Sequence, residues 1–194
     1  MFGYRSMGSA VQLTTDRLFI RSVNKQDAHR LADYYCENRD YLKLWEPKRD
    51  RSYYSYTGWQ LKLQFIEQLM AQNMARNLIM LDQEGQHILG IINFSQIIKG
   101  NFHACYLSYS LAEHCQGQGL MFDALQAAIR YMFHKENIHR IMASYMPHNQ
   151  RSGNLLARLG FIKEGYAKEY LMINGRWQDH VLTALTSPNW RSTL

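Results

Sequence analysis

Cysteine, proline and long apolar runs are all scarce in this chain, and each scarcity excludes something. Three cysteines, Cys36, Cys105 and Cys115, make an odd count with no CxxC spacing. Neither a disulfide framework nor a thiolate zinc site is expected, and a reducing cytoplasm fits best. Only three prolines occur, and no Pro/Gly/Ser-rich linker, repeat or low-complexity tract divides the sequence. Residues 1–194 therefore read as one domain, long enough to bury a full core. No apolar run approaches the length that crosses a bilayer, so no membrane contact is expected. The opening "MFGYRSMGSAVQLTTDR" also lacks the continuous apolar stretch of a secretory signal. The eight histidines show no HExxH or other paired spacing, so no metal is expected.

The composition is that of an ordinary globular protein, 46% apolar and 20% charged, with a net charge of +6. Such a charge can serve nucleic-acid binding. Here Lys and Arg are dispersed, and the densest patch, "PKRDR" at 47–51, is interrupted by Asp50. It reads as a solvated basic surface that still allows work beside RNA or a ribosome.

Periodicity gives the element order. "TTDRLFIRSV" alternates as a strand, and Asn24 or Asp27 can cap a helix through "AHRLADYYCEN". Trp59, Leu63, Ile66 and Met70 recur at three and four residues, which predicts a helix over about 58–75. "LIMLD", "HILGIINFSQII" and "FHACYLSYSL", separated by "DQEGQ" and "KGN", predict an antiparallel meander. A helix follows over 118–133, with Met121, Ala124, Leu125, Ala128, Ile129 and Met132 on one face. Then come a strand "RIMASYM", a short helix "RSGNLLARLG" and two strands turned at Asn174-Gly175, the strongest hairpin signal present. The sum is an α+β fold, a mixed sheet of about seven strands flanked by about four helices.

Two glycines, Gly117 and Gly119, stand at the start of the 118–133 helix rather than at its end. Glycine there permits a left-handed backbone and leaves the amides open, and the free N–H groups of a helix start attract anions. An ordinary turn explains the same residues equally well. Among phosphate-binding patterns, "GQGLMF" puts Phe122 at the third glycine of a dinucleotide fingerprint, and no Gly-Lys-Ser/Thr is present for a P-loop. The acyl-coenzyme A turn, Gln/Arg-x-x-Gly-x-Gly/Ala, is followed by Gln116, Gly117, Gln118, Gly119 and Leu120. Met121 departs from its last position.

With that turn the sequence resembles the GNAT superfamily of acetyl-coenzyme A dependent N-acetyltransferases. "HNQRSGNLLARLGFIKEG", 148–165, is similar to the second segment of that family through Asn149, Ser152, Leu155, Gly160, Phe161, Glu164 and Gly165. Within the superfamily the chain resembles, nearly end to end, the RimJ-type ribosomal-protein-alanine N-acetyltransferases. "TTDRL", "ADYYCENRDYLKLWEP", "FHACYLSYSL" and "DHVLTALTSPNW" carry the likeness beyond the two segments. The resemblance implies direct transfer, in a ternary complex, from acetyl-CoA to the N-terminal alanine amine of a ribosomal protein, of the small-subunit type. Alternatives are another protein N-terminus, a small amine, or a role in ribosome assembly or RNA binding. A monomer or weak dimer, in contact with a ribosome or pre-ribosome, is the expected setting.

The resemblance also implies roles. Backbone amides from Gln116 to Met121 hold the diphosphate, and the pantetheine arm runs along the fourth strand at Tyr109, Ser110 and Leu111, where an N–H polarises the thioester carbonyl as charge grows on it. Asn149 and Ser152 complete the cosubstrate site. Many relatives place a tyrosine four residues after the Ser152 position to protonate the thiolate; Leu156 stands there, which leaves Ser152 as the donor. Helix capping by Asn149 and Ser152 explains those two residues as well. An α-amine near pKa ~7.7–8.0 loses its proton at pH 7 for about 1 kcal/mol, against roughly 4–5 for a lysine, so a weak base suffices for an N-terminus. The candidate bases are Glu46, then Glu113, then Glu67. Cys105 and Cys115 read as small packed groups, Trp59 as core, and Tyr53, Tyr54 and Tyr56 as loop residues on the substrate side.

Overall fold

The computed structural model describes residues 10–191. Most of the opening segment read above for a signal falls at 1–9, outside the described residues. Eight strands form one sheet in the order β1-β2-β3-β4-β5-β6-β8-β7. They are β1 Gln12–Thr14, β2 Phe19–Ser22, β3 Arg76–Leu81, β4 Ile88–Ile98, β5 Ala104–Leu111, β6 Arg140–Tyr145, β7 Ile162–Ile173 and β8 Arg176–Thr186. The helices are α1 Ala28–Glu37, α2 Arg39–Leu42, α3 Tyr56–Ala71, α4 Leu120–His134 and α5 Gln150–Arg158.

The expected α+β sheet is present with one more strand than the seven anticipated, and the reason is local. "TTDRLFIRSV" is not a single strand. Thr15 Oγ1 accepts from the N–H groups of Arg17 and Leu18, and the Thr15 N–H donates to the Leu18 carbonyl at 3.0 Å. This side-chain-braced turn splits off β1 and pairs it with β2. The fifth helix is the one-turn α2, which follows α1 directly at Asn38.

Asn24 caps a 3-10 turn at Lys25–Asp27 by a reciprocal capping box with Asp27. Asp27 does more than cap: it is 1% exposed and takes both Nη groups of Arg21 at 2.7 Å. Such a bidentate pair satisfies a carboxylate that burial would otherwise penalise. Trp59 is core, as expected, stacked on Tyr35 with ring centroids 5.2 Å apart. Along α4, Ala124, Leu125, Ala128 and Met132 are fully buried. A side chain such as Leu125 contributes about 1.5–3 kcal/mol over leaving it in water.

One feature of the sheet creates the site. β5 and β6 run parallel and pair only at Ala104↔Arg140, Cys105↔Ile141 and Tyr106↔Met142. Beyond Tyr106, β5 continues against β4 alone, while β6 continues against β8. The sheet therefore splits open, and α4 begins at the end of the split.

Candidate active site

The split opens a cavity of about 910 Å³. Its walls are β5 from Leu107 to Leu111, the turn before α4, the end of β6 with Tyr145 and Met146, α5, the segment Trp45 to Arg49, and Leu171 to Ile173 of β7 with His180 of β8.

The turn explains its own glycines. Gly117 and Gly119 have φ of 74° and 77°, the left-handed region in which a side chain is strained. A Cβ on Gly117 would meet nothing within 4 Å, so packing does not demand glycine there. Gly119 is the N-cap of α4, and no side chain caps that helix start. Its N–H groups therefore remain available to an anion, next to the positive end of the helix dipole. Arg17 braces the turn from outside, donating to the Gln118 carbonyl at 2.7 Å and to Asp123 at 2.6 Å. Arg151 and Arg158 of α5 face the same end of the cavity, Arg151 bonded to Gln116 and Arg158 lying 4.5 Å over the Phe122 ring. Open amides, a helix start and two guanidiniums fit a doubly charged diphosphate. Met121 causes no obstruction, because its side chain is buried in the core.

Further in, the Tyr109 hydroxyl and Ser152 Oγ lie 2.7 Å apart. Burial pushes the Tyr109 phenol up to about 12, and the bond to Ser152 opposes that only in part. Tyr109 therefore stays protonated; either hydroxyl can donate in this bond, and when Tyr109 does, the Ser152 proton is free for a second partner. Asn149 Oδ1 accepts from the Ser152 N–H at 3.2 Å, the N-cap bond that the sequence suggested. One residue can thus cap α5 while the next turn of that helix faces the cavity. Ser110 Oγ pairs with the Tyr34 hydroxyl at 3.0 Å, tying α1 to β5.

Of the residues singled out in the sequence, Tyr109, Ser110, Leu111, Gln116, Gly117, Gly119, Leu120, Met121, Asn149, Ser152 and Glu46 all line this cavity. Gln118 does not; its side chain turns back to the His114 carbonyl. Glu113 is exposed outside the lining, and its backbone N–H is held by Asn38 Oδ1 at 2.9 Å. Glu67, on α3, is bound to Lys25 and is not part of the lining. Glu46 alone among the three carboxylates reaches the cavity, where Arg49 holds it at 3.0 Å. Burial raises its pKa, and Arg49 opposes the shift.

Tyr53 joins the lining, with the Arg49 guanidinium 4.2 Å over its ring, while Tyr56 stacks on His29 at 3.8 Å away from it. Cys105 and Cys115 are buried outside the lining, and burial pushes the Cys105 thiol up to about 12, so neither offers a thiolate nucleophile. Among the described residues no three His, Cys, Asp or Glu side chains cluster as metal ligands.

Sequence reasoning missed Tyr145, Arg151, Arg158, Trp45 and His180, which also line the cavity. Only one carried a signal in the sequence. Gly153, mid-helix where glycine is unfavourable, is there because a Cβ would come within 2.7 Å of the Tyr145 ring.

Comparison with known proteins identifies the family and the fold. The family described as "Acetyltransferase (GNAT) domain" matches residues 17–162, well over half of the chain. A curated relative in Escherichia coli (strain K12), "[Ribosomal protein uS5]-alanine N-acetyltransferase", is 59% identical over 190 residues, 98% of each chain. Among solved structures, the ribosomal-protein-S5-alanine acetyltransferase of Vibrio fischeri superposes with a TM-score of 0.91 at 38% identity, covering 94% of this chain and 100% of its own. Mycobacterium smegmatis RimJ in complex with CoA-disulfide shares the fold with a TM-score of 0.84 at 24% identity, covering 93% and 90%.

Proposed function

Because the chain belongs to the GNAT acetyltransferase family and is an N-acetyltransferase using acetyl-CoA, we propose that its acceptor is the N-terminal alanine of ribosomal protein uS5, acetylated in the cytoplasm. The observation that carries the substrate is the 59% identity, along 98% of both chains, to a relative that bears that activity in its name.

The site supports the reading residue by residue. Amides of Gly117 to Met121, at the bare start of α4, hold the diphosphate, with Arg151 and Arg158 beside them. The unpaired inner edge of β5, from Leu107 to Leu111, offers backbone groups to the pantetheine amides and an N–H to the thioester carbonyl. Acetyl-CoA supplies an activated acyl group on a good leaving sulfur. Ser152, its proton oriented by Tyr109, hydrogen-bonds the sulfur as the C–S bond breaks. The acceptor enters between the Trp45–Arg49 segment and β7, where the α-amine needs only the small deprotonation cost worked out above.

The charge of the lining argues against a polyamine acceptor. Among the described residues Glu46 is its one carboxylate and is already paired, whereas Arg49, Arg151 and Arg158 are cationic. A polycation would meet repulsion there rather than attraction. The exposed Arg39, Lys43, Lys48 and Arg51 near the acceptor mouth suit work beside ribosomal RNA. Salt-sensitive ribosome association that survives in a Gly119→Val variant unable to bind acetyl-CoA supports that contact.

Intact-mass analysis of ribosomal proteins from cells lacking the enzyme tests the substrate. Protein uS5 should be lighter by one acetyl group and the rest unchanged. No shift in any ribosomal protein refutes the proposal.

A further inference from the structure

His180 lines the cavity alongside the residues proposed to hold acetyl-CoA. It is 4% exposed, on β8, a strand paired on both sides, and it lines the same cavity as Tyr109, Ser152 and Glu46. Its Nδ1 lies 3.0 Å from the Gln178 carbonyl. A carbonyl only accepts, so Nδ1 carries the hydrogen. The strand thus fixes which tautomer the neutral ring takes, the one with its lone pair on Nε2.

The other groups around the cavity are less able to take a proton. Glu46 is the only carboxylate in the lining among the described residues, and Arg49 occupies one of its oxygens with two bonds, at 3.0 and 3.2 Å, which opposes the rise that burial gives its pKa. Tyr35 and Tyr53 are raised by burial, as is Tyr109, so phenolate is not available near neutral pH. The Asp179 carboxylate, one residue away, is taken by the Tyr166 hydroxyl and the Glu169 N–H. Tyr170 of β7 packs its ring 5.6 Å from the imidazole and closes that side. Tyr145 of β6, Asn149 at the N-cap of α5 and Arg151 of α5 line the same cavity.

We propose that His180 is the general base, its Nε2 taking the proton of the acceptor α-amine as that nitrogen attacks the acetyl carbon. The C–N bond forms and the C–S bond breaks. The sulfur leaves as thiolate on Ser152 and takes its proton from solvent, while His180 returns one proton to solvent. Atoms and charge balance with no further reactant. The assignment rests on the N-acetyltransferase reading and replaces the carboxylates as the base.

The pH dependence of kcat/KM, measured with acetyl-CoA and a synthetic peptide beginning with alanine, tests it. Wild-type activity should fall toward low pH as the product of two neutral fractions, α-amine and imidazole, so that its logarithmic slope approaches two. In His180→Gln the slope should be one, kcat/KM at pH 7 should drop about a hundredfold, and acetyl-CoA affinity should hold. A wild-type slope of one overturns the proposal whether or not the variant folds. So does loss of the second proton in Glu46→Gln with retention in His180→Gln. Failure of wild-type enzyme to acetylate the peptide at any pH overturns the acceptor reading instead, which keeps the two failures apart.

Discussion

Replacing Gly117 by alanine separates the two reasons a glycine stands in the turn. At φ of 74° a Cβ costs ~1–2 kcal/mol whatever surrounds it. In a chain of this size each kcal/mol moves Tm by about 2–4 °C, so the ligand-free variant should melt about 2–8 °C lower. No clash adds to this, since nothing lies within 4 Å of the new methyl group. That same open space is where the proposed site puts the diphosphate. At a coenzyme A concentration about 100 times Kd, the wild type gains ~2.7 kcal/mol of stability. If the methyl group weakens binding about tenfold, the gain falls to ~1.4 kcal/mol, and the ligand-induced rise in Tm is roughly halved. Scanning calorimetry with and without coenzyme A, joined to titration calorimetry for Kd, measures both effects. A variant that melts lower but keeps the full ligand-induced rise refutes the placement of the diphosphate on these amides.

Three further outcomes follow from the same contacts. Tyr109→Phe and Ser152→Ala should each lower kcat, by about 10-fold for the former and more for the latter, with KM for acetyl-CoA held; unchanged turnover in Ser152→Ala removes it from the mechanism. Glu136→Gln should destabilise the fold by about 3 kcal/mol in urea unfolding, because it removes the countercharge of the Arg76 guanidinium, 5% exposed, and leaves it only the neutral acceptors of Asn73, Met70 and Ala75. Glu46→Gln should raise Tm at neutral pH. A carboxyl whose folded pKa is raised contributes stability when protonated and loses it as pH rises through the folded value, and glutamine mimics the protonated form. The advantage should shrink as pH falls toward the ordinary carboxylate range, and a constant advantage at all pH values contradicts the raised pKa.

Local patterns were legible because they depend on neighbours in the chain. The Asn174-Gly175 turn has φ of 45° and 81°, the doubly positive hairpin geometry that pair favours. The apolar stripe from Met121 to Met132 predicted the buried face of α4 almost residue for residue. The Thr15–Leu18 turn escaped notice because alternation of Leu18 and Ile20 is the same in one strand or in two.

Glu113 shows the limit from the other direction. It adjoins the turn in sequence, yet the 3-10 segment Glu113–Cys115 carries it out of the cavity. His180 shows the converse: it lies in the chain beyond both cosubstrate segments, and β8 brings it to the cavity they line.

The sequence alone determined the element order from α3 onward, the left-handed turn ahead of α4 and the membership of a family whose cosubstrate such a turn suits, since backbone conformation and periodicity are encoded within a few residues of each other. Tertiary structure decided which side chains meet. The Tyr109–Ser152 bond spans 43 positions, and the parting of β5 from β6 after three paired residues depends on pairing across the whole sheet. Contacts at that separation are fixed by packing and loop closure, which no local pattern records.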